Sequence, residues 1–267
     1  MSSRSPSVAP LPQGFDGWKS QVQSLLALCN HPLLRELNYP LALLSTLSHP
    51  PSVEDIDTLF SPLARVRFIL QHPSSPRPKN PAQSYDGLIT LCASVPTRPY
   101  SLHDLANAMI WCIYPKAKRS LHKRQFEVLV LDAQKEGRVF PTRRSRLRDL
   151  LTMFDEGGAI LRLDPLPSIQ TPIRSSEELS SIINQLSKEL FLFGHAIVEH
   201  LVLSPNFLPS IRVKVLLVPG VACDLDTYLA NLFASEDAAL REAMELPSLR
   251  LGDLAQCQES RGIGLGF

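Results

Sequence analysis

The chain has 267 residues, of which 44% are hydrophobic and 20% charged, and its formal net charge is +1. This composition excludes an intrinsically disordered chain, because such chains combine low hydrophobicity with high net charge. We therefore expect a globular protein that is long enough to bury a substantial core.

The cysteines and the hydropathy of the chain indicate its cellular location. The five cysteines are odd in number and never occur as Cys-x-x-Cys, so neither a disulfide framework nor a thiolate zinc site is indicated. The N-terminus lacks the apolar run of a secretion signal. The longest apolar stretch, 189–203, is shorter than the roughly 20 residues that a membrane span needs. We expect a cytoplasmic protein with no membrane contact.

The chain is predicted to form one globular domain between two loose ends. Residues 73–81 hold four prolines in nine positions, which excludes regular helix and inner strand and indicates a connector. The predicted divisions are a disordered tail 1–14, a globular domain 15–251 made of a helical lobe 15–72, the connector 73–81 and a core 82–251, and a frayed tail 252–267.

Helical spacing of apolar residues dominates the first half of the chain. Ser52 followed by Asp55 predicts a capping box at a helix start, and Ser101 with Asp104 predicts a second reciprocal cap. The predicted helices are Phe15–Cys29, two short pieces within Leu33–Leu47 broken at 38–40, a helix after Ser52, Tyr85–Cys92, a helix from Ser101 to Tyr114, and Leu121–Lys135.

The second half mixes helix and strand signals. Leu150–Phe154 and Ala159–Leu163 flank a turn with two glycines and predict a β-hairpin. Ser175 and Glu178 predict a helix start, with the helix running to Leu203. Ile211–Leu217 alternates like a strand, and Asp224–Leu246 returns to helix. The predicted fold class is α+β, predominantly helical, with a small β-hairpin or sheet packed on the helices.

Polar side chains share one face of the helix that follows Ser101. His103, Asn107 and Trp111 are each four residues apart, opposite an apolar face, and Asp104 lies one turn from Asn107. A solvent-facing helix would carry Lys and Glu there more often than Trp. We therefore expect this polar face to be covered by another part of the fold.

Two further groups supply acids and an imidazole. His195 and Glu199 are one turn apart in a helix predicted to be buried nearly all round. A buried carboxylate must be paired, neutral or bound to a metal, because an isolated charge in an apolar medium is too costly. Asp155 and Glu156 are adjacent in the predicted turn.

If these stretches converge, they form a polar site that suits a hydrolase-like enzyme. Its candidate catalytic residues are His103, Asp104, Asn107, Asp155, Glu156, His195 and Glu199. Divalent-metal ligands would come from His103, Asp155, His195 and Glu199, since nitrogen and oxygen donors suit such ions. A metal-free acid–base site and a purely structural polar network remain open. No nucleotide cofactor is expected, because no Walker loop or dinucleotide glycine motif is present.

The segment 116–148 is basic and supports a different function. It holds eleven Lys or Arg residues against Glu127, Asp132 and Glu136, a local charge of +8. Clustered basic residues attract phosphates and acidic surfaces. The alternatives to an enzyme are therefore a binding module for nucleic acid or an acidic protein, and a scaffold whose polar network only holds elements together.

The chain resembles domain-of-unknown-function family 3025, a family of bacterial proteins, from about Arg65 to Leu251. Several separated motifs in the same order carry the resemblance. They are Val66-Arg67-Phe68, Tyr85-Asp86, Val95-Pro96-Thr97-Arg98, Leu102-His103-Asp104, Asn107, Trp111, Tyr114-Pro115, Arg148-Asp149, Leu151-Thr152, Phe154-Asp155-Glu156, and Phe193-Gly194-His195-Ala196 with Glu199. The resemblance implies no activity or cofactor, but its motifs coincide with the candidate site.

Overall fold

The computed structural model describes residues 23, 32–72, 74–166, 173, 175–184, 187–203, 210–220 and 224–254. The predicted tails 1–14 and 252–267 and the predicted helix Phe15–Cys29 lie wholly or mainly outside these residues.

The N-terminal part of the described chain is helical. A 3-10 helix, Pro32–Leu37, runs into helix α1, Asn38–Leu44. The two predicted short pieces are present, but residues 38–40, where the break was predicted, form the start of α1. Helix α2, Val53–Ala64, begins with the predicted capping box. The Ser52 N–H donates to Asp55 over 2.8 Å, and the Asp55 N–H donates to the Ser52 hydroxyl over 3.1 Å. This reciprocal pair satisfies two free amides of the first turn.

A parallel strand pair follows. Strands β1, Arg67–Leu70, and β2, Ser94–Thr97, lie side by side, and helix α3, Tyr85–Cys92, connects them. Parallel strands need such a crossover, because a tight hairpin cannot join them. Residues 74–80 of the predicted connector contain no helix or strand.

Two helices then share the Tyr114-Pro115 junction. Helix α4, Leu102–Ile113, has the predicted bounds, and its Ser101 hydroxyl accepts from the Asp104 N–H. Helix α5, Pro115–Lys135, starts six residues before the predicted Leu121. Proline is suited to the first position of a helix, because its missing N–H would have no partner there.

The predicted hairpin over 150–163 is wrong. Its first half belongs to helix α6, Arg146–Gly157, and only the second half is a strand, β3, Gly158–Asp164. Leu147, Leu150, Leu151 and Phe154 are all buried on one helical face, which explains the outcome. This spacing of three and four residues outweighs the turn signal of the two glycines, which instead mark where the helix ends.

The predicted long helix from Ser175 to Leu203 is also wrong. The chain forms helix α7, Ser176–Asn184, strand β4, Ser187–Leu192, and helix α8, His195–Leu203. Strand β4 pairs antiparallel with β3, and the Gly194 N–H donates to the Gly158 carbonyl over 2.8 Å. Pairing with β3 is a long-range contact that the helical periodicity of this segment does not report.

The remaining elements complete the larger sheet. Strand β5, Arg212–Pro219, confirms the predicted strand, and β6, Leu249–Arg250, pairs with it. Among the described residues the sheet order is β4-β3-β5-β6, with β3 and β5 parallel and the other pairs antiparallel.

The single helix predicted over 224–246 is in fact two helices. They are α9, Leu225–Phe233, and α10, Asp237–Met244. The Ser235 hydroxyl donates to the Leu232 carbonyl over 2.7 Å and helps to end α9. Such side-chain bonds compete with continuation of a helix.

The fold class is α+β and predominantly helical, as predicted. Phe154 of α6, Phe193 between β4 and α8, and Phe233 of α9 meet in the core, with ring centroids 4.9–6.0 Å apart. No described helix has both the length and the apolar character required to cross a bilayer.

Candidate metal centre

Two imidazoles from distant parts of the sequence meet where helices α4 and α8 contact each other. His103 lies in the first turn of α4, and His195 is the first residue of α8. Their Nε2 atoms are 3.0 Å apart, and the rings are arranged edge to face. Gly194 allows the chain just before His195 to lie against residues 156–158, because a side chain there would collide with the Glu156 carbonyl oxygen and with the backbone of Gly158.

Glu156 completes a compact group of three donors. Its Oε2 atom lies 3.4 Å from His195 Nε2 and 3.7 Å from His103 Nε2. With zinc–nitrogen bonds of about 2.0–2.1 Å, two ligands at angles of 90–109° would be about 2.9–3.4 Å apart. Two of the three separations, 3.0 and 3.4 Å, fall within this range, and the third, 3.7 Å, is slightly longer. A small movement of the Glu156 side chain, which is 46% exposed, would let the three donor atoms bind one cation.

Glu199 orients the His103 ring through the ring nitrogen that faces away from the other donors. Its Oε2 atom lies 2.9 Å from His103 Nδ1. Because a carboxylate only accepts, Nδ1 carries the hydrogen, and in the neutral imidazole Nε2 presents a lone pair to the group of donors. A carboxylate in this position typically fixes the tautomer of a metal-binding histidine. Burial acts to lower the pKa of His103, but Glu199 and Glu156 outweigh it, and the pKa is raised.

His195 has the opposite electrostatic setting. It is 3% exposed, and burial together with the nearby Lys118 charge lowers its pKa well below the usual value. The neutral imidazole is the form that binds a metal. Burial has the reverse effect on Glu156, whose pKa it raises, although 46% of that side chain remains exposed.

Asp155, the residue before Glu156, does not join the three donors and contacts a lysine. Asp155 forms an ion pair with Lys118, a lysine with no exposed surface. Burial would raise the pKa of Asp155, but Lys118 and the neighbouring imidazoles lower it strongly. Asp155 and Glu199, both predicted among the metal ligands, therefore contact Lys118 and His103 instead.

A buried polar layer continues behind Asp155. His122 Nε2 lies 3.9 Å from Asp155 Oδ2, and its Nδ1 lies 2.9 Å from Asp86 Oδ1. Trp111 stacks on the His122 ring at 5.6 Å with an interplanar angle of 7°. The candidate residues predicted from the sequence did not include Lys118. Its spacing from Leu121, His122 and Gln125 places it on the buried face of α5, which could have revealed its role.

Asp104 and Asn107 lie on the same side of the site but have different contacts. The Asp104 carboxylate accepts from the Arg98 backbone N–H over 2.6 Å and from its guanidinium over 2.6 and 3.0 Å. The predicted reciprocal cap with Ser101 is therefore only half formed, because Arg98 competes for the carboxylate. The Asn107 amide donates to the Tyr85 hydroxyl over 2.9 Å.

A cavity of about 270 Å³ opens onto these groups. It is lined by Gln71, Tyr85, Pro96, Arg98, His103, Asp104, Asn107, Asp155, Glu156 and His195. Six of the seven candidate catalytic residues thus line one cavity, and Glu199 contacts His103 behind it. The volume is slightly below the range of about 300–1,000 Å³ that is usual for ligand pockets.

The basic segment 116–148 is largely neutralised in space. Six of its eleven basic residues form ion pairs with carboxylates. The pairs are Lys116–Asp224, Lys118–Asp155, Lys123–Glu127, Arg124–Asp237, Arg144–Asp149 and Arg146–Glu245. Five of these carboxylates lie outside the segment and offset five of its eight excess positive charges.

Comparison with known proteins identifies a family but no activity. The model of the family described as "Protein of unknown function (DUF3025)" matches residues 66–245. No curated protein matches the chain. The crystal structure of phenylalanine hydroxylase from Chromobacterium violaceum bound to cobalt is similar at a TM-score of 0.43 and 12% identity, covering 94% of this chain and 92% of that one. This similarity is too low to indicate a shared function.

Proposed function

The chain belongs to the DUF3025 family, whose description assigns no activity, and we propose from the site itself that it is a divalent-metal-dependent hydrolase. The metal would be held by His103, Glu156 and His195. The observation that supports this most strongly is the convergence of their three donor atoms within 4.8 Å at the wall of a cavity.

The donor set has the composition of a catalytic metal site. Such sites commonly have three protein ligands and leave a further position open, and two histidines with one glutamate are a known set for zinc. A divalent cation bound there would lower the pKa of a coordinated water and so supply a nucleophile at neutral pH. The cavity next to the donors leaves space for a substrate.

The surrounding residues prepare the donors for this role. Glu199 holds His103 so that Nε2 faces the centre. The lowered pKa of His195 keeps that imidazole neutral. If the neutral His195 carries its hydrogen on Nδ1, the Nε2 atoms of both His103 and His195 are free to act as ligands. This tautomer has the same charge as the one with the hydrogen on Nε2. Glu156 follows Asp155, whose ion pair with Lys118 anchors the end of α6.

An iron-dependent oxygenase is a second candidate, because two histidines and one carboxylate with open positions also suit non-haem ferrous iron. The two functions differ in the metal and in the co-reactant. A hydrolase should act with zinc and without oxygen, whereas an oxygenase should consume oxygen only when it is loaded with ferrous iron.

Metal binding is the first test. After treatment with chelator and dialysis, the protein should bind one equivalent of zinc by isothermal titration calorimetry. His103→Ala and His195→Ala should each weaken that binding at least about 100-fold, since loss of an outer partner alone costs 10–100-fold. His200→Ala is the matched control, because His200 is exposed on the same helix as His195 and should leave binding unchanged.

Elemental analysis and a simple activity assay complete the test. Protein purified without chelator should contain a divalent metal, and less than about a tenth of an equivalent would argue against the proposal. Zinc-loaded wild-type protein should hydrolyse p-nitrophenyl acetate faster than His195→Ala. Equal rates for the two proteins would contradict a role for the centre in hydrolysis.

A further inference from the structure

The wall of the cavity next to the metal donors carries an unused hydrogen-bonding pair. Asn107 lies one helical turn after His103 on α4, and both line the cavity. Asn107 is 94% buried, being 6% exposed. Its Oδ1 atom has no hydrogen-bond partner among the described residues. A buried acceptor without a partner is costly, so an unpaired oxygen in the wall of a cavity suits a hydrogen-bond donor from a ligand.

Tyr85 supplies the complementary donor. Its hydroxyl oxygen accepts from Asn107 Nδ2 over 2.9 Å, which leaves the hydroxyl hydrogen available. Although 36% of Tyr85 is exposed, desolvation of its hydroxyl group and the nearby Asp155 and Asp104 carboxylates raise its pKa well above the usual value. The phenol therefore stays protonated at neutral pH and can donate to an oxygen in the cavity.

An acceptor beside a donor matches an amide whose N–H and C=O lie on the same side. A primary carboxamide has an N–H on the same side as its C=O, and a cyclic amide has the same arrangement. A trans secondary amide directs the two groups to opposite sides. A ketone or ester lacks the N–H altogether and would leave Asn107 Oδ1 without a partner.

We propose that Asn107 and Tyr85 form a recognition subsite for primary carboxamides or cyclic amides, with Asn107 Oδ1 accepting the amide N–H and the Tyr85 hydroxyl donating to the carbonyl. This inference rests on the proposed hydrolase and names its substrate class. The reaction would add water across the C–N bond: oxygen joins the carbonyl carbon, the C–N bond breaks, and the leaving nitrogen takes a proton. A primary carboxamide would thus give a carboxylate and ammonium.

Binding of three small probes tests the subsite without a metal. The full-length protein, kept in excess chelator, is titrated with benzamide, acetophenone and N-methylbenzamide and followed by protein NMR. Acetophenone keeps the carbonyl but lacks the N–H, and N-methylbenzamide favours the trans form. Benzamide should bind at least tenfold more tightly than either, because a site built around an N–H rejects analogues that lack it.

Two variants assign the preference to the named residues. Asn107→Leu should remove the preference for benzamide and leave acetophenone affinity unchanged. Tyr85→Phe should weaken all three probes by a similar factor, because all three present a carbonyl. If Asn107→Leu fails to fold, the comparison of probes on wild-type protein still decides the question.

The proposal is overturned if benzamide and acetophenone bind equally, if the preference survives in Asn107→Leu, or if no probe binds at its solubility limit. Failure of the hydrolase itself has a separate signature. A benzamide preference in chelator, with no ammonia released by zinc-loaded protein, would support the subsite and refute amide hydrolysis. Ester hydrolysis with no amide preference would refute only the subsite.

Discussion

Replacing Lys118 by methionine should destabilise the protein strongly. Lys118 has no exposed surface, and its partner Asp155 is 7% exposed. Methionine retains much of the volume of the side chain but leaves the Asp155 carboxylate buried without its cation. Removing one member of a buried ion pair costs about 3–5 kcal/mol, a large part of the roughly 5–15 kcal/mol that holds a typical domain together.

Chemical denaturation with matched variants measures this cost. The free energy of unfolding is obtained from urea titrations followed by circular dichroism. Lys123→Met is the control, because Lys123 lies on the same helix, is 64% exposed and pairs with Glu127 at 3.7 Å. Exposed pairs of this kind contribute about 0–1 kcal/mol. The double variant Lys118→Met with Asp155→Asn should lose less stability than the sum of the two single variants, because neither charge is left alone.

The pH dependence gives an independent check. In the wild type the pKa of Asp155 is lowered from 3.8, so its contribution is present above that value and is lost only as pH falls through the lower folded-state pKa. In Lys118→Met the strongest influence that lowers the pKa of Asp155 is lost, while burial and the weaker effects of His122 and His195 remain, so this pKa should rise. The cost of the substitution should therefore shrink as pH falls from 7 to 5. A loss below about 1 kcal/mol at pH 7, or a cost independent of pH, would refute this reasoning.

Further predictions concern the metal donors and two backbone features. Glu199→Gln should weaken zinc binding about 10–100-fold by calorimetry, because a neutral amide replaces the carboxylate that orients His103 and makes it more basic. Protonation of His103 competes with zinc, and the pKa of His103 is raised from 6.5. As the pH is lowered from 8, zinc affinity should therefore already decrease before pH 6.5 is reached. A decrease that starts only below pH 6.5 would contradict this. Ser52→Ala should cost about 0.5–2 kcal/mol in urea denaturation through loss of the cap. Gly194→Ala would place Cβ 2.6 Å from the Glu156 carbonyl oxygen and should cost about 1–3 kcal/mol, with weaker zinc binding; unchanged stability would disprove the contact.

Local patterns predicted two helix starts and one polar helix face correctly. The capping residues Ser52 and Ser101 marked the starts of α2 and α4, because a hydroxyl that accepts a backbone N–H acts within three residues. The four-residue spacing of His103 and Asn107 placed both on the face that lines the cavity. These features depend on neighbours in the chain, so they can be read without knowledge of the fold.

The choice between Asp155 and Glu156 depended on tertiary structure. Adjacent residues on a helix point about 100° apart, so only one of the two can face the histidines while the other faces Lys118. The sequence shows that both carboxylates are present, but it does not show how α6 is rotated about its axis. That rotation follows from which apolar side chains of α6 pack into the core.

The sequence by itself determined the helical character, the capped helix starts and the residue types of the site. Tertiary structure decided that the stretch before Gly194 is a strand, because the partner of β4 is β3, some 30 residues earlier in the chain. The same contact between Gly194 and Gly158 places His195 beside Glu156. The spacing of apolar residues shows which face of a segment is buried, and it can be read from that segment alone. Strand pairing and contacts between distant side chains depend on segments that are far apart in sequence.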